Sequence, residues 1–160
     1  MTKSRRDRSS WSLRAASLRD VAALAKIDRR SFRHEGEIFD AARIRRLIAN
    51  PRAVAVVAEC DGAILGWAVG LVRRTARGLH GRLYGVAVDP SARGLGLGRA
   101  LTERVLAALR RRGCRRLALE VRLDNDVAVS LYESLGFEAD ETIADYYAPG
   151  VHALRMRRAE

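Results

Sequence analysis

Leu83-Tyr84-Gly85-Val86-Ala87-Val88-Asp89-Pro90-Ser91-Ala92-Arg93-Gly94-Leu95-Gly96-Leu97-Gly98-Arg99-Ala100-Leu101 divides into an apolar run, a stop at Asp89-Pro90, and glycines leading into a helix-like sequence. The expected local structure is a strand, a tight loop and a helix start. Gly94, Gly96 and Gly98 lack a Cβ, so successive backbone N–H groups can turn toward one point and a bulky ligand can approach the chain. A phosphate has those needs, and a helix N-terminus offers it unpaired donors and the positive end of the helix dipole. Arg93 and Arg99 add full positive charges on either side.

Two familiar nucleotide motifs do not fit this loop. A dinucleotide fingerprint needs Gly-x-Gly-x-x-Gly, whereas the spacing here is Gly-x-Gly-x-Gly, and a Walker loop needs a lysine that is missing. Arg93-Gly94-Leu95-Gly96-Leu97-Gly98 instead resembles the pyrophosphate loop, Arg/Gln-x-x-Gly-x-Gly/Ala, of the GNAT superfamily of acyl-CoA N-acetyltransferases. The loop taken alone also fits a plain glycine-rich linker.

At 160 residues the chain matches one domain able to bury roughly two-thirds of its unfolded surface. No apolar run approaches the ~20 residues that span a bilayer, and no apolar signal segment follows the basic N-terminus. A cytoplasmic protein without membrane contact is the expectation. Cys60 and Cys114 lack metal-ligand spacing and read as two buried free thiols; His34, His80 and His152 are isolated, so no metal is assigned. The net charge is +11, with lysine only at positions 3 and 26. These arginines read as spread over solvated faces, since no aromatic residues alternate with them as a single-strand-binding surface requires.

Residues 1–10 have the composition of a disordered basic tail, and 11–160 read as one domain. Trp11 to Ala15 is a short strand. Ser17 opens a helix through about Phe32 with a stripe of Val21, Leu24, Ile27 and Phe32, and Asp40 caps a second helix carrying Ile44, Leu47 and Ile48. Ala53–Cys60 and Ile64–Val72 form a hairpin around Asp61-Gly62, and Arg73 to Arg82 reads as a mobile basic loop. A helix ending at Arg110-Arg111-Arg112-Gly113 follows the glycine loop; basic residues in a last turn with glycine beyond are ordinary helix termination. Leu117–Arg122 is a buried strand, Asn125–Leu135 a helix, and two more strands flank a loop at Tyr146–Gly150. This order matches the GNAT fold: α/β, with a central mixed, mostly antiparallel sheet of about seven strands flanked by about four helices.

The C-terminal half narrows the resemblance. Leu119-Glu120-Val121-Arg122, Asn125, Ala128, Leu131-Tyr132-Glu133-Ser134-Leu135-Gly136-Phe137 and Tyr146-Tyr147 resemble the ribosomal-protein alanine N-acetyltransferases, and with the glycine loop the similarity spans Leu83 to Met156. It implies acetyl transfer from acetyl-CoA to a peptide or protein N-terminal amine, with ribosomal proteins among the acceptors, in a monomer or homodimer. Nucleic acid is not expected as a partner except through a ribosome. It further implies that the N–H groups of Arg93, Gly94, Leu95, Gly96, Leu97, Gly98 and Arg99 hold the pyrophosphate. The splayed backbone of Val86, Ala87 and Val88 would then hold the pantetheine arm and polarise the acetyl carbonyl.

Glu120 is an acid inside an apolar strand, where burial raises a carboxyl toward the range of a general base, or where it pairs with an arginine such as Arg116 or Arg122. The resemblance implies the base. Tyr132 follows Ala128 by one helical turn and by the resemblance is the general acid; on its residues alone it equally fits a core tyrosine. Asn125 caps that helix or touches the cofactor arm. Tyr146 and Tyr147 by the same resemblance bind the first acceptor residues. The departure is Phe32-Arg33-His34-Glu35-Gly36-Glu37, where the ribosomal-protein enzymes carry a Phe-Pro-Trp-like sequence. Two acids there suit a small cationic acceptor such as a polyamine, an antibiotic or an amino acid, which keeps that alternative open. The charge motivates a third, a non-catalytic acyl-CoA-responsive or RNA-associated module.

Overall fold

The computed structural model describes residues 10–159. Apart from Ser10, the tail expected over residues 1–10 lies outside the described residues, as does residue 160. Seven strands and four α-helices follow in the order β1 (Ser12–Ala15), α1 (Val21–Ser31), α2 (Ala41–Ala49), β2 (Ala53–Cys60), β3 (Ala63–Thr75), β4 (Gly78–Val88), α3 (Leu97–Arg111), β5 (Arg116–Arg122), α4 (Asp126–Ser134), β6 (Glu138–Ala148) and β7 (Val151–Ala159). They form one sheet ordered β1-β2-β3-β4-β5-β7-β6. Only β4 and β5 pair in parallel; every other neighbouring pair is antiparallel.

Alternation along the strands divides the core between the two faces of the sheet. Val57, Trp67 and Val69 meet Leu24, Ile27 and Ile44 of α1 and α2 on one face. Val56, Ala58 and Ala68 meet Leu101, Val105 and Leu109 of α3 on the other. Asp40 caps α2 through the N–H of Arg43, as its spacing suggested. At the start of the first helical segment Ser17 and Asp20 form a capping box, with the Ser17 N–H donating to the Asp20 carboxylate at 2.8 Å.

Two stretches expected as loops are strand. Arg73 to Arg82 continues β3 and β4 as a long ribbon, with Arg73 opposite His80 and only Ala76 and Arg77 turning. Residues 73–78 at its tip are exposed and accept charged residues, so the sequence there lacks the alternation that marks half-buried strands. Gly81, read as a loop signal, packs against β5 and α3; a Cβ there would lie 2.8 Å from Leu117 and 3.1 Å from Leu109. Tyr146, Tyr147 and Ala148 likewise end β6, leaving Pro149 and Gly150 as the turn. Cys114 is buried, but Cys60 is half-buried rather than fully buried, because it ends β2.

One irregularity shapes the centre of the sheet. Leu83 faces Gly70 and Gly85 faces Val69, so Tyr84 is an extra residue in β4. Such a bulge bends and twists its strand. The β4–β5 ladder runs from His80–Arg116 to Leu83–Leu119 and ends there, while β5 goes on pairing with β7 through Arg122. The two central strands therefore part, leaving one edge of residues 84–88 without a β5 partner. Gly85 is needed at the bulge because Phe39 fills its Cβ position, 2.7 Å away.

Candidate active site

The glycine turn stands where β4 ends. Asp89 accepts from the Ser91 N–H and closes a short 3₁₀ turn, after which Gly94 and Gly96 both take positive φ, at 80° and 77°. L-residues avoid that region, so both glycines are backbone requirements. A Cβ at either would meet nothing within 4 Å. Gly96 occupies the N-cap of α3 without any side-chain cap, which leaves the helix end to a ligand or solvent. Arg93 reaches the Ser31 carbonyl at 3.4 Å, and Arg99 binds Ser134 Oγ at 2.6 Å and Glu103 at 3.3 Å. Leu97 is buried in the core, so it can offer only its backbone N–H. Of the strand residues named for the cofactor arm, Ala87 is buried, and the Val88 carbonyl already accepts from Ser31 Oγ at 3.1 Å.

Glu120, Tyr132, Asn125, Tyr146, Tyr147 and Val86 line one cavity in the space between the parting strands. Ala87, Val88 and the glycine turn do not line it. Among the described residues no cluster of His, Cys, Asp and Glu could hold a metal ion.

Glu120 is paired, but not with Arg116 or Arg122. Its Oε2 accepts from Arg82 Nε at 2.9 Å, with Arg82 Nη2 2.8 Å away in the same ion pair, and its Oε1 accepts from Nε and Nη2 of Arg155 at 3.1 and 3.0 Å. The Glu120 side chain is only 7% exposed, so these two guanidinium groups are its surroundings. Arg116 and Arg122 share its strand at even spacing, yet β7 places Arg155 directly opposite, and the parallel ladder brings Arg82 within reach. Arg82 also donates to the Tyr146 hydroxyl at 2.8 Å. Arg122 turns to Glu37, at 3.2 Å, and to Asp124.

Tyr132 is buried on α4 with its ring edge-on to Phe137, and burial pushes its phenol up to about 12. The hydroxyl therefore keeps its proton at neutral pH. Asn125 caps α4, accepting from the Ala128 N–H at 3.2 Å, and it also lines the cavity. Tyr146 and Tyr147 are displaced by a wide bulge, since four residues of β6 span one of β7 between Ile143–Ala153 and Ala148–Val151. Asp145, at φ 55°, turns the chain there. The two rings stack edge-to-face at 4.9 Å, and burial, followed by neighbouring Tyr146, raises the Tyr147 phenol. The Tyr147 carbonyl lies 2.1 Å from where a Gly36 Cβ would stand, so the segment before α2 passes hard against β6.

Among the further cavity residues that escaped the sequence reading are Asp28, Phe39, Arg43, Arg82 and Tyr84. Asp28 is 1% exposed and accepts from the Phe39 N–H at 2.9 Å and from Trp67 Nε1 at 2.8 Å. Burial raises its carboxyl to about 6, against the lowering by those two donors. Its signal was present, for it stands seven residues after Val21 on an otherwise apolar stripe. Arg82 carried no such signal, because only the parallel pairing of β4 with β5 brings it to Glu120. Phe39 and Tyr84 stack at 5.6 Å, with the Arg43 guanidinium over both rings and its Nη2 on the Tyr84 hydroxyl at 2.8 Å.

Residues 21–137 match the acetyltransferase (GNAT) family. The chain belongs to that family. It is 37% identical over 100 residues to an acetyltransferase of Yersinia enterocolitica, covering 62% of this chain and 68% of that one. Over 65 residues it is 48% identical to the [ribosomal protein bS18]-alanine N-acetyltransferase of Escherichia coli, covering 41% and 44%. A mycothiol acetyltransferase of Geodermatophilus obscurus is 56% identical over 57 residues, 36% of this chain and 18% of that protein. The chain thus spans under half of the latter two relatives. The crystal structure of the ribosomal-protein-S18-alanine N-acetyltransferase from Escherichia coli superposes with a TM-score of 0.79 at 26% identity, covering 93% of each chain. Ard1 from Thermoplasma volcanium gives 0.81 at 26% identity, covering 94% and 97%. The GNAT fold expected from the order of elements is the fold of this family, with seven strands and four helices.

The glycine turn fits acyl-CoA on its own geometry. Two positive-φ glycines with open space above them and an uncapped helix start make an anion cradle. The unpaired edge of β4 leads from that cradle to the cavity.

Proposed function

We propose that the chain transfers an acetyl group from acetyl-CoA to the N-terminal amine of a peptide or protein. The observation that carries this is the convergence of Glu120, Tyr132 and the Tyr146–Tyr147 bulge on one cavity at the opening between β4 and β5. Acetyl-CoA, held by backbone N–H groups of residues 93–99 and by the edge of Val86–Val88 that β5 leaves unpaired, supplies the thioester.

Glu120 attracts the incoming ammonium and takes its proton, directly or through a water. Its oxygens already meet two guanidinium groups and accept three hydrogen bonds from them, so one guanidinium must yield first. Arg82 is the one that yields, since it lines the cavity and has the Tyr146 hydroxyl as a second partner, whereas Arg155 is held by Glu141. Tyr132 holds a proton on Oη for the departing sulfur. Its high pKa makes full transfer to a thiolate uphill, so its contribution is a hydrogen bond that strengthens as charge develops. Tyr146 and Tyr147 line the acceptor's first residues. Glu37 pairs with Arg122, which weighs against the free acid pair on which a small cationic acceptor rested.

Product masses decide the acceptor. With acetyl-CoA, one peptide bearing a free N-terminus should gain a single acetyl group, while its N-blocked copy with an internal lysine should gain none; the opposite pattern rejects the N-terminal assignment. Tyr132→Phe should lower kcat tenfold or more and leave the Kd for acetyl-CoA unchanged. Unchanged turnover removes Tyr132 from the mechanism.

A further inference from the structure

The excess positive charge is not spread over the surface. At the end of the sheet where β4 and β5 begin and β7 ends, four segments meet: Arg52, the ribbon tip at 73–77, the α3 terminus with its turn into β5 at 110–116, and Arg157 with Arg158. Their contacts hold them together. Arg112 donates to the Pro51 carbonyl at 2.9 Å, the Val72 N–H donates to the Arg52 carbonyl at 2.8 Å, and Arg116 stands between His80 and Ala159 across the ladders. These segments carry eleven arginines, against Glu138 and Asp140 of the adjoining start of β6, and Asp140 is paired with Arg157. The rest of the described chain holds fifteen basic and fifteen acidic residues. The whole excess of the described residues therefore sits at one pole.

The chemistry of the pole selects its partner. Guanidinium groups bind phosphate oxygens in a two-pronged manner that lysine cannot reproduce. The exposed large hydrophobic residues, Leu18, Leu123, Val127 and Tyr146, all lie outside these segments, so a bilayer finds no apolar anchor there. No Trp, Tyr or Phe occurs in them either, so unpaired bases have nothing to stack on. A folded duplex, which presents regularly spaced phosphates and needs no stacking, fits what is left.

We infer that this pole docks on the phosphate backbone of duplex RNA. The choice of RNA over DNA rests on the proposed acceptor, a protein N-terminus of the kind found on ribosomal proteins, whose surroundings are folded RNA. β4 runs its 11 residues from the pole to the glycine turn, about 35 Å at ~3.3 Å per residue. A duplex on the pole thus leaves the cavity open to an acceptor and to acetyl-CoA.

The test is fluorescence anisotropy of the full chain with a labelled 20-base-pair RNA duplex between 50 and 200 mM KCl. Contacts to about six phosphates give a slope of log K against log salt near −5, a loss of roughly 10³-fold across that range. Arg74→Gln/Arg77→Gln, at the exposed ribbon tip, should make the slope shallower by about 2 and weaken binding at 100 mM at least tenfold. Arg19→Gln/Arg29→Gln removes equal charge from exposed positions outside the pole and should change binding less than threefold. Unchanged acetyl transfer to a short peptide by both variants reports an intact fold.

Equal losses in the two variants overturn the docking pole in favour of general charge attraction, and a slope shallower than −2 also overturns it. Tighter binding to single-stranded RNA, duplex DNA, polyglutamate or phosphatidylserine vesicles overturns the assignment to duplex RNA. The titration contains neither acetyl-CoA nor acceptor, so its failure leaves acetyl transfer standing. If the peptide test fails instead, affinity for phosphate remains and only the reason for choosing RNA is lost.

Discussion

Asp28→Asn is the substitution whose effect can be worked furthest from the structure. The carboxyl is 1% exposed, and burial raises it to about 6 although Phe39 and Trp67 donate to it. An acid with a raised folded pKa binds its proton more tightly in the native state. Its favourable contribution is full below the unfolded value near 3.8 and is lost as pH rises through 6. About two pKa units at 1.36 kcal/mol each set the total near 3 kcal/mol, of which roughly 2 kcal/mol falls between pH 4 and pH 7.5. Asparagine does not titrate, but it turns an N–H toward one of two donors that now point at oxygen, a pH-independent cost of about 1–3 kcal/mol. Urea denaturation of both proteins at pH 4, 5, 6 and 7.5 should show the variant less stable at pH 4 and the gap closing by about 2 kcal/mol at pH 7.5. Asp20, held near 2 chiefly by its hydrogen bond with Arg14, titrates below that window in both proteins and cancels in the difference. A gap constant with pH would show that Asp28 does not titrate there, and a widening gap would show that its two donors outweigh burial.

Three other substitutions probe the parts of the site separately. Gly96→Ala places a side chain at φ 77° with nothing to clash against; it should cost about 1–2 kcal/mol in melting experiments and raise KM for acetyl-CoA while leaving acceptor KM alone. Gly36→Ala drives a Cβ to 2.1 Å from the Tyr147 carbonyl, so the acceptor segment must shift, and steady-state kinetics should show the reverse pattern, a raised acceptor KM with the acetyl-CoA KM unchanged. Arg155→Gln removes one of the two guanidinium groups on the buried Glu120; with Arg82 remaining and Arg155 partly exposed, the loss should be about 1–2 kcal/mol, a drop of roughly 3–6 °C in Tm by calorimetry.

What the sequence made legible and what it hid follow from how far apart the interacting residues are. The glycine turn is a local device: positive φ at Gly94 and Gly96 and the start of α3 all arise within a few residues, and each leaves a mark in residue type. The caps at Asp40 and Asn125 are local in the same sense. The partners of Glu120 are not. Arg82 and Arg155 lie 38 and 35 residues away along the chain and reach it through one parallel and one antiparallel ladder, so the nearby Arg116 and Arg122 were the natural but wrong choices. Asp28 lies between these cases, since its position on an apolar stripe was visible but its donors, Phe39 and Trp67, come from two other segments.

The arginine ribbon shows the same division from the other side. Arg73 to Arg82 carries too much charge to advertise a strand, and Arg110–Arg112 needs nothing beyond helix termination to explain it. Each segment has a sufficient local cause. What no local cause supplies is their meeting at one end of the sheet, which follows from β4, α3 and β5 forming a parallel crossover that returns the chain to the start of β4. The fold that opens the cavity where β4 and β5 part necessarily gathers the ribbon tip, the α3 terminus and the end of β7 where they begin. Site and pole are opposite ends of a single βαβ unit, so separating their effects by substitution is straightforward: Arg74 and Arg77 can be changed without touching a residue that lines the cavity.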